Sequence, residues 1–155
     1  MTIEKLKKAF INKGLTLGSV ESFTGGLFAA TITSKGGASK YYKGGLVTYA
    51  TEEKIKLLGI SEEDVKEYGV VSKEIAYGMA HFGRKVLNVD ICVSFTGNAG
   101  PEAMEGKPVG EVYIGIADKK SVEVYKLNLS GERDQIQDEA VQYALEKIFK
   151  KFHNF

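Results

Sequence analysis

Residues 15–33 read Leu-Thr-Leu-Gly-Ser-Val-Glu-Ser-Phe-Thr-Gly-Gly-Leu-Phe-Ala-Ala-Thr-Ile-Thr, and the fold class follows from how this stretch divides. Leu15 to Val20 is strand-like, Glu21 to Gly26 is a turn of small residues, and Leu27 to Thr33 reads as a helix despite its β-branched Thr and Ile. Upstream, Ile3, Leu6, Phe10 and Ile11 share one helical face from Thr2 to Lys13, with Gly14 as the stop. Downstream, a second strand is expected at Leu46 to Ala50 and a short helix at Glu52 to Leu58. Ser61 with Asp64 is a capping-box pattern opening another helix. From Ser72 to Leu87 a stripe of Ile75, Ala76, Met79, Phe82 and Val86 predicts an amphipathic helix. Asp90 to Phe95 reads as a buried strand, and it runs into Thr96-Gly97-Asn98-Ala99-Gly100-Pro101. Val112, Ile114 and Ile116 alternate, Asp118-Lys119-Lys120 turns the chain, and the return strand changes face partway, which suggests a bulge. Ile136 to Phe152 is the clearest helix. Alternating strands and helices with one hairpin predict an α/β sandwich around a mixed sheet.

Composition narrows the function. A chain of 155 residues has room for one domain, taken here as 1–155. Lys plus Arg number 21 against 20 Asp plus Glu, a net charge of +1, so no broad positive field exists for nucleic acid and no direct nucleic-acid binding is expected. Apolar runs break well before the ~20 residues of a membrane span, and no signal-peptide pattern is seen. A cytoplasmic protein without a membrane partner is expected. Cys92 is the single cysteine and reads as core; with His81 and His153 far apart there is no metal-ligand cluster. There are 18 glycines against two prolines, grouped at the ends of expected strands, where backbone turns tightly or approaches a ligand.

Three loops join small residues to hydroxyls. At Glu21 to Gly26, free N–H groups and a helix dipole would favour an anion, although a Gly-Gly turn is also ordinary structure. Gly36 to Gly45, leading to Thr48, Tyr49 and Lys54, holds the raw material for a serine nucleophile with a lysine base. Spacing alone favours a surface loop followed by a solvated helix lysine. Thr96 to Pro101 ends a strand where open α/β sheets bind ligands, and it is equally a Gly-Pro turn. Neither histidine sits beside a nucleophile, so a Ser-His-Asp triad lacks its base. Arg133 opens the last helix, where capping or ion pairing is the plain role and a forked cation also suits phosphate or carboxylate.

The loops occur in a specific order: Glu-Ser-x-Thr-Gly-Gly (21–26), Gly-Ala-Ser-x-Tyr-Tyr-x-Gly-Gly-x-Val-Thr-Tyr (37–49), Lys54 with Leu57-Leu58-Gly59, Gly69-x-Val-Ser (to 72), Thr-Gly-x-Ala-Gly-Pro (96–101) and Lys-Pro-Val-Gly-x-Val (107–112). This series, from about Leu6 to Phe149, closely resembles the CinA C-terminal domain family, whose characterised enzymes include the nicotinamide mononucleotide deamidase PncC. The resemblance implies a three-layer α/β/α fold and hydrolysis of the nicotinamide carboxamide to nicotinate mononucleotide and ammonia, with no metal or other cofactor. It places the nucleophile on Ser39, the base on Lys54 and a supporting hydroxyl on Tyr49. It puts Ser22, Thr24, Gly25 and Gly26 around the substrate, Thr96 and Gly97 on the facing loop, and Arg133 at the phosphate. Phe23 stands where Cys is common in the family, Ala50-Thr51 where Ser-Asn is usual, and Asn98 where Ile is frequent. These departures bear on substrate preference.

The roles carry a physical requirement. At pH 7 an ordinary lysine, with a pKa of roughly 10.4, is only ~0.04 % neutral, so Lys54 as a base must be buried or near another cation. Lys40, Lys43 and Arg133 are the candidate cations. An oxyanion formed at Ser39 would need backbone N–H donors from the Gly-rich loops. Tyr41, Tyr42 or Phe23 would wall a pyridine ring. The partner expected is a small nucleotide, with a homo-oligomer as the assembly. Two other readings stand beside it: a catalytically silent nucleotide-binding or protein-interaction module of the competence/damage-inducible type, and an amidohydrolase acting on another small amide.

Overall fold

A computed structural model describes residues 2–153. The elements run α1 (Ile3–Lys13), β1 (Leu17–Glu21), α2 (Leu27–Thr33), a 3₁₀ turn (Ala38–Lys40), β2 (Tyr42–Val47), α3 (Thr51–Leu58), α4 (Glu62–Tyr68), α5 (Lys73–Leu87), β3 (Ile91–Gly97), β4 (Glu111–Ala117), β5 (Val122–Asn128) and α6 (Arg133–Phe152). The sheet order is β2-β1-β3-β4-β5. β2, β1 and β3 are parallel, while β4 and β5 are antiparallel additions. The sheet is mixed because a short turn joins β4 to β5, whereas the parallel strands need helical crossovers.

Strand alternation sorts the core onto the two faces. Leu17, Ile91, Val93, Phe95, Val112, Ile114 and Ile116 pack under α1, α2 and α6. Val20 and Cys92 point the other way, against Ile75 and Met79 of α5 and Leu58 of α3. The result is the three-layer α/β/α sandwich with a mixed β-sheet. Burial pushes the Cys92 thiol up to about 12, consistent with an inert core cysteine.

Local signals set the helix ends. Thr2 caps α1, Ser61 caps α4 and Ser72 caps α5, each by accepting a backbone N–H, while Gly14 ends α1 in the left-handed region. α2 and α3 begin without such a cap, at Gly26 and Ala50; Ala50 offers no side-chain acceptor. Ala50 has extended φ and ψ of −77° and 145°, the backbone a serine cap adopts. Ala50→Ser is therefore expected to raise the urea midpoint, a gain of about 0.5–1 kcal/mol.

Two sequence expectations change. β2 spans Tyr42–Val47 rather than Leu46 to Ala50, so it contains Gly44 and Gly45. A Cβ on Gly45 would lie 2.6 Å from the Tyr42 hydroxyl and 2.5 Å from Ser19 Oγ, so close approach of β1 overrides the low strand propensity of glycine. The hairpin also carries no bulge: β4 and β5 pair without a break from Glu111↔Asn128 to Ala117↔Val122. The change of face arises because both sides of β5 are partly covered, Val124 toward α5 and Tyr125 and Leu127 toward α6. The register shift lies instead between Leu17 and Gly18, where β1 meets β2.

Candidate functional site

The parallel strands all run to one end of the sheet. Glu21 pairs with Val47 on one side and Phe95 on the other, so Ser22, Thr48 and Thr96 stand level there, with β3 running on to Gly97. From there β1 leads toward β2 and β3 leads toward β4, and the crevice between two strands with diverging exits is where open α/β sheets take ligands. A cavity of about 110 Å³ opens there, lined by Ser22, Phe23, Tyr49, Gly97, Ala99, Met104 and Arg133.

Beside it lies the least ordinary side chain of the domain. Lys54 is only 1 % exposed, on α3. Its Nζ donates to the Thr48 carbonyl at 2.6 Å and to Ser22 Oγ at 3.0 Å. Burial lowers its pKa to about 8, against the opposing pull of Glu105 and Glu52. Loss of solvation disfavours the ammonium, and the two carboxylates recover part of it. The cations suggested by the sequence play no part: Lys40 and Lys43 flank the far end of β2, and the contacts of Arg133 are with Gly100 and Tyr49.

Ser39 is placed elsewhere. It sits in the 3₁₀ turn before β2, exposed, with its carbonyl accepting from Lys43 Nζ at 3.4 Å. Thr48 follows the other end of the same strand, and six residues of strand span about 20 Å. Ser39 therefore cannot meet Lys54, and the hydroxyl that does is that of Ser22. Tyr41 and Tyr42 share that distant edge: Tyr41 packs on Phe10 with ring centroids 5.7 Å apart, and the Tyr42 hydroxyl meets Ser19 Oγ at 2.7 Å. Both are core residues, and the aromatic groups at the cavity are Phe23 and Tyr49.

The turn after β1 is shaped for Ser22. Gly25 and Gly26 have φ of 61° and 105°, which favour glycine, and reverse the chain within a few residues. The N–H groups of α2 are not free for an anion. Phe28 and Ala29 donate to the two carboxylate oxygens of buried Glu21 at 2.9 and 3.1 Å, so the protein supplies its own anion there. Thr24 is buried and its hydroxyl has no partner among the described residues; the same holds for the Thr48 hydroxyl. Thr96 is turned from the cavity, its hydroxyl donating to the Val70 carbonyl at 2.6 Å, so it is a structural tie rather than a wall of the site. Gly97 does reach the cavity.

Arg133 joins the two sides of the mouth. One guanidinium nitrogen donates to the Gly100 carbonyl at 2.7 Å and the other to the Tyr49 hydroxyl at 2.9 Å. Tyr49 itself is 61 % exposed. The three departures have distinct places: Phe23 walls the cavity, Ala50-Thr51 forms the uncapped start of α3, and Asn98 is buried in the stem of the β3–β4 loop. A larger groove of about 500 Å³ lies between the start of α5 and β5. Its Ser72 hydroxyl is engaged, donating to the Gly69 carbonyl and capping α5, whereas the smaller cavity holds the contact between Ser22 and a buried lysine. Among the described residues no group of three or more His, Cys, Asp or Glu is arranged to hold a metal ion, and no helix is long and apolar enough to cross a membrane.

The family model of the CinA C-terminal domain matches residues 2–152. The chain belongs to the CinA C-terminal domain family. A Bacillus velezensis protein named for competence-damage induction is 42 % identical over 148 residues, 96 % of this chain and 36 % of the relative. A Streptococcus pneumoniae protein of the same name is 41 % identical over 151 residues, 97 % of this chain and 35 % of its own. The chain thus spans about a third of the length of these curated relatives. The crystal structure of a competence damage-inducible protein from Klebsiella pneumoniae superposes with a TM-score of 0.94 at 28 % identity, covering 96 % of this chain and 93 % of that one. One from Agrobacterium tumefaciens gives 0.88 at 32 % identity, covering 96 % and 94 %.

Proposed function

We propose that this CinA-family domain hydrolyses the carboxamide of nicotinamide mononucleotide to nicotinate mononucleotide and ammonia, with Ser22 as nucleophile and Lys54 as base. The observation that carries the reading is the 3.0 Å contact between Lys54 Nζ and Ser22 Oγ, made by a lysine buried enough to bring its pKa to about 8. At that value about 10 % of Lys54 is neutral at pH 7. The neutral amine takes the Ser22 proton as Oγ bonds to the carboxamide carbon. The proton then passes to the departing nitrogen, the C–N bond breaks, and ammonia leaves an ester on Ser22. Water attacks that ester with Lys54 again as base, and nicotinate mononucleotide is released with Ser22 restored.

Donors for the oxyanion come from the turn. The N–H groups of Gly25 and Leu27 bond to Ser22 and Thr24 carbonyls, and those of Phe28 and Ala29 to Glu21. The Phe23 and Thr24 N–H groups and the buried Thr24 hydroxyl are the ones assigned to the developing charge. The cavity of about 110 Å³ suits a pyridine carboxamide alone, well below the ~300–1,000 Å³ that encloses a larger ligand. Ribose and phosphate would cross the mouth beside Tyr49 and Arg133.

The test is ammonia release from nicotinamide mononucleotide, nicotinamide riboside and nicotinamide by the purified protein. Turnover of the nucleotide in preference to the two smaller amides is expected; a protein that binds it without releasing ammonia would be the silent module instead. Arg133→Ala is expected to raise KM for the nucleotide about 10-fold or more, with a smaller change in kcat and little change toward the riboside. Equal losses on both substrates would remove Arg133 from the phosphate.

A further inference from the structure

We propose that Glu105 is a positioning residue: by accepting from the Val70 and Val71 N–H groups it latches the β3–β4 loop over the cavity next to the Lys54–Ser22 pair. The proposal uses Lys54 as the base, but it does not depend on which amide is cleaved.

The loop, residues 98–110, is tied at its stem and at its tip in different ways. At the stem, the Gly110 N–H donates to the Asn98 carbonyl at 2.7 Å. The Asn98 side chain accepts from the Gly100 N–H at 3.1 Å and donates to the Lys107 carbonyl at 3.2 Å. These bonds stay within the loop and hold its shape. At the tip, Met104 and Lys107 bridge, and Glu105 between them adopts a φ of 53°, a left-handed conformation that L side chains rarely take. That conformation sends the carboxylate across to the α4–α5 connection. Val71 N–H donates to one oxygen and Val70 N–H to the other, both at 3.0 Å.

The seat is built to receive it. Val70 and Val71 are buried, so without Glu105 their N–H groups would lack a partner. Gly69 leaves the space: a Cβ there would lie 2.7 Å from the Glu105 carboxylate. The Val70 carbonyl is held by Thr96 at the end of β3, so the seat is tied to the strand that ends at the cavity. Met104, next to Glu105, and Ala99 line the cavity. Releasing the latch would free the segment that closes one side of the site.

The same carboxylate acts on the base. Glu105 from the loop and Glu52 from α3 are the two carboxylates that favour the charged form of Lys54. From the β1–α2 turn Lys54 meets the Ser22 hydroxyl, and after β2 the Thr48 carbonyl. Tyr49 and Arg133 are the ionisable groups at the mouth. Burial alone would lower the Lys54 pKa further; Glu105 offsets part of that shift when the loop is seated.

The experiment follows Lys54 by ¹³Cε lysine resonances of the full chain across pH, with Lys54→Met to assign the signal. Amide exchange at Val70 and Val71 is followed in parallel. Glu105→Gln is expected to lower the Lys54 midpoint by about half a pH unit or more, and the acidic limb of kcat/KM shifts down with it. Glu105→Ala is expected to speed exchange at both amides severalfold, with Glu105→Gln, which keeps one acceptor oxygen, lying between. A Lys54 midpoint unchanged in Glu105→Gln would overturn the proposal, as would unchanged exchange in Glu105→Ala. Both readouts are made without substrate, so failure to cleave nicotinamide mononucleotide would count against the substrate and leave the latch standing.

Discussion

Ser22→Ala is expected to lower ammonia release from nicotinamide mononucleotide by about 10³-fold or more, while Ser39→Ala stays within about twofold of the unsubstituted protein. The asymmetry follows from where the two hydroxyls lie. Ser22 follows β1 and touches Lys54 Nζ at 3.0 Å; Ser39 precedes β2, exposed, at the opposite edge of the sheet. Replacing Ser22 removes the atom proposed to bond to carbon, and the binding groups that remain would give only residual rate. Replacing Ser39 removes an exposed hydroxyl of a surface turn. Urea midpoints close to that of the unsubstituted protein establish that both variants fold. Loss of activity in Ser39→Ala with activity kept in Ser22→Ala would refute the assignment.

Lys54→Met is expected to abolish turnover and to change the pH dependence of stability. In the folded state the pKa is about 8, against an ordinary value of 10.5. Below about pH 8 both folded and unfolded chains carry the charge, and the folded state bears the full cost of burying it, about 3 kcal/mol. Between pH 8 and 10.5 the folded chain gives up its proton first, so the unfolded chain binds more protons and stability rises with pH. Methionine lacks that dependence. It also leaves the Thr48 carbonyl without its donor, a loss of about 1–3 kcal/mol. The variant should thus be modestly more stable near pH 7 and less stable near pH 10.5, with the difference changing by about 3 kcal/mol across the range. Comparing the two proteins cancels Tyr41 and Tyr42, whose pKa values of about 12 act in the opposite direction. A difference independent of pH would mean that Lys54 titrates as an ordinary lysine.

These two results concern a lysine and a serine 32 residues apart in the chain. Spacing alone reads Lys54 as a solvated helix lysine; only as the base that the resemblance implies must it be buried or lie near another cation, and the structure shows burial. The identity of its partner is not legible in the sequence. The resemblance places the nucleophile on Ser39, yet Ser39 precedes β2 and so lies on the N-terminal side of a parallel strand, whether that strand begins at Leu46 or at Tyr42. The rule that α/β sites gather at strand C-termini would then have selected Ser22. The glycine pair shifts only the bounds of β2, where low strand propensity is overridden by the packing of Tyr42 and Ser19. Thr96 failed for another reason: a hydroxyl at the right edge still has to point into the crevice, and this one donates to Val70. Glu21 and Glu105 left no signal of their roles, since each acts on backbone groups of another element, and Asn98 acts on the backbone of its own irregular loop.

Hydrophobic periods, caps and glycine stops are local, so the helices, the strand-turn-helix unit, the mixed α/β class and the ordered family motifs can all be read along the chain. Contacts between strand ends are not local. Parallel pairing brings residues 22, 48 and 96 to one edge, and register and burial then choose which hydroxyl the lysine meets. The quoted stretch from Leu15 to Thr33 announces a turn suited to function, and packing from α3 turns its Ser22 into the partner of a buried amine.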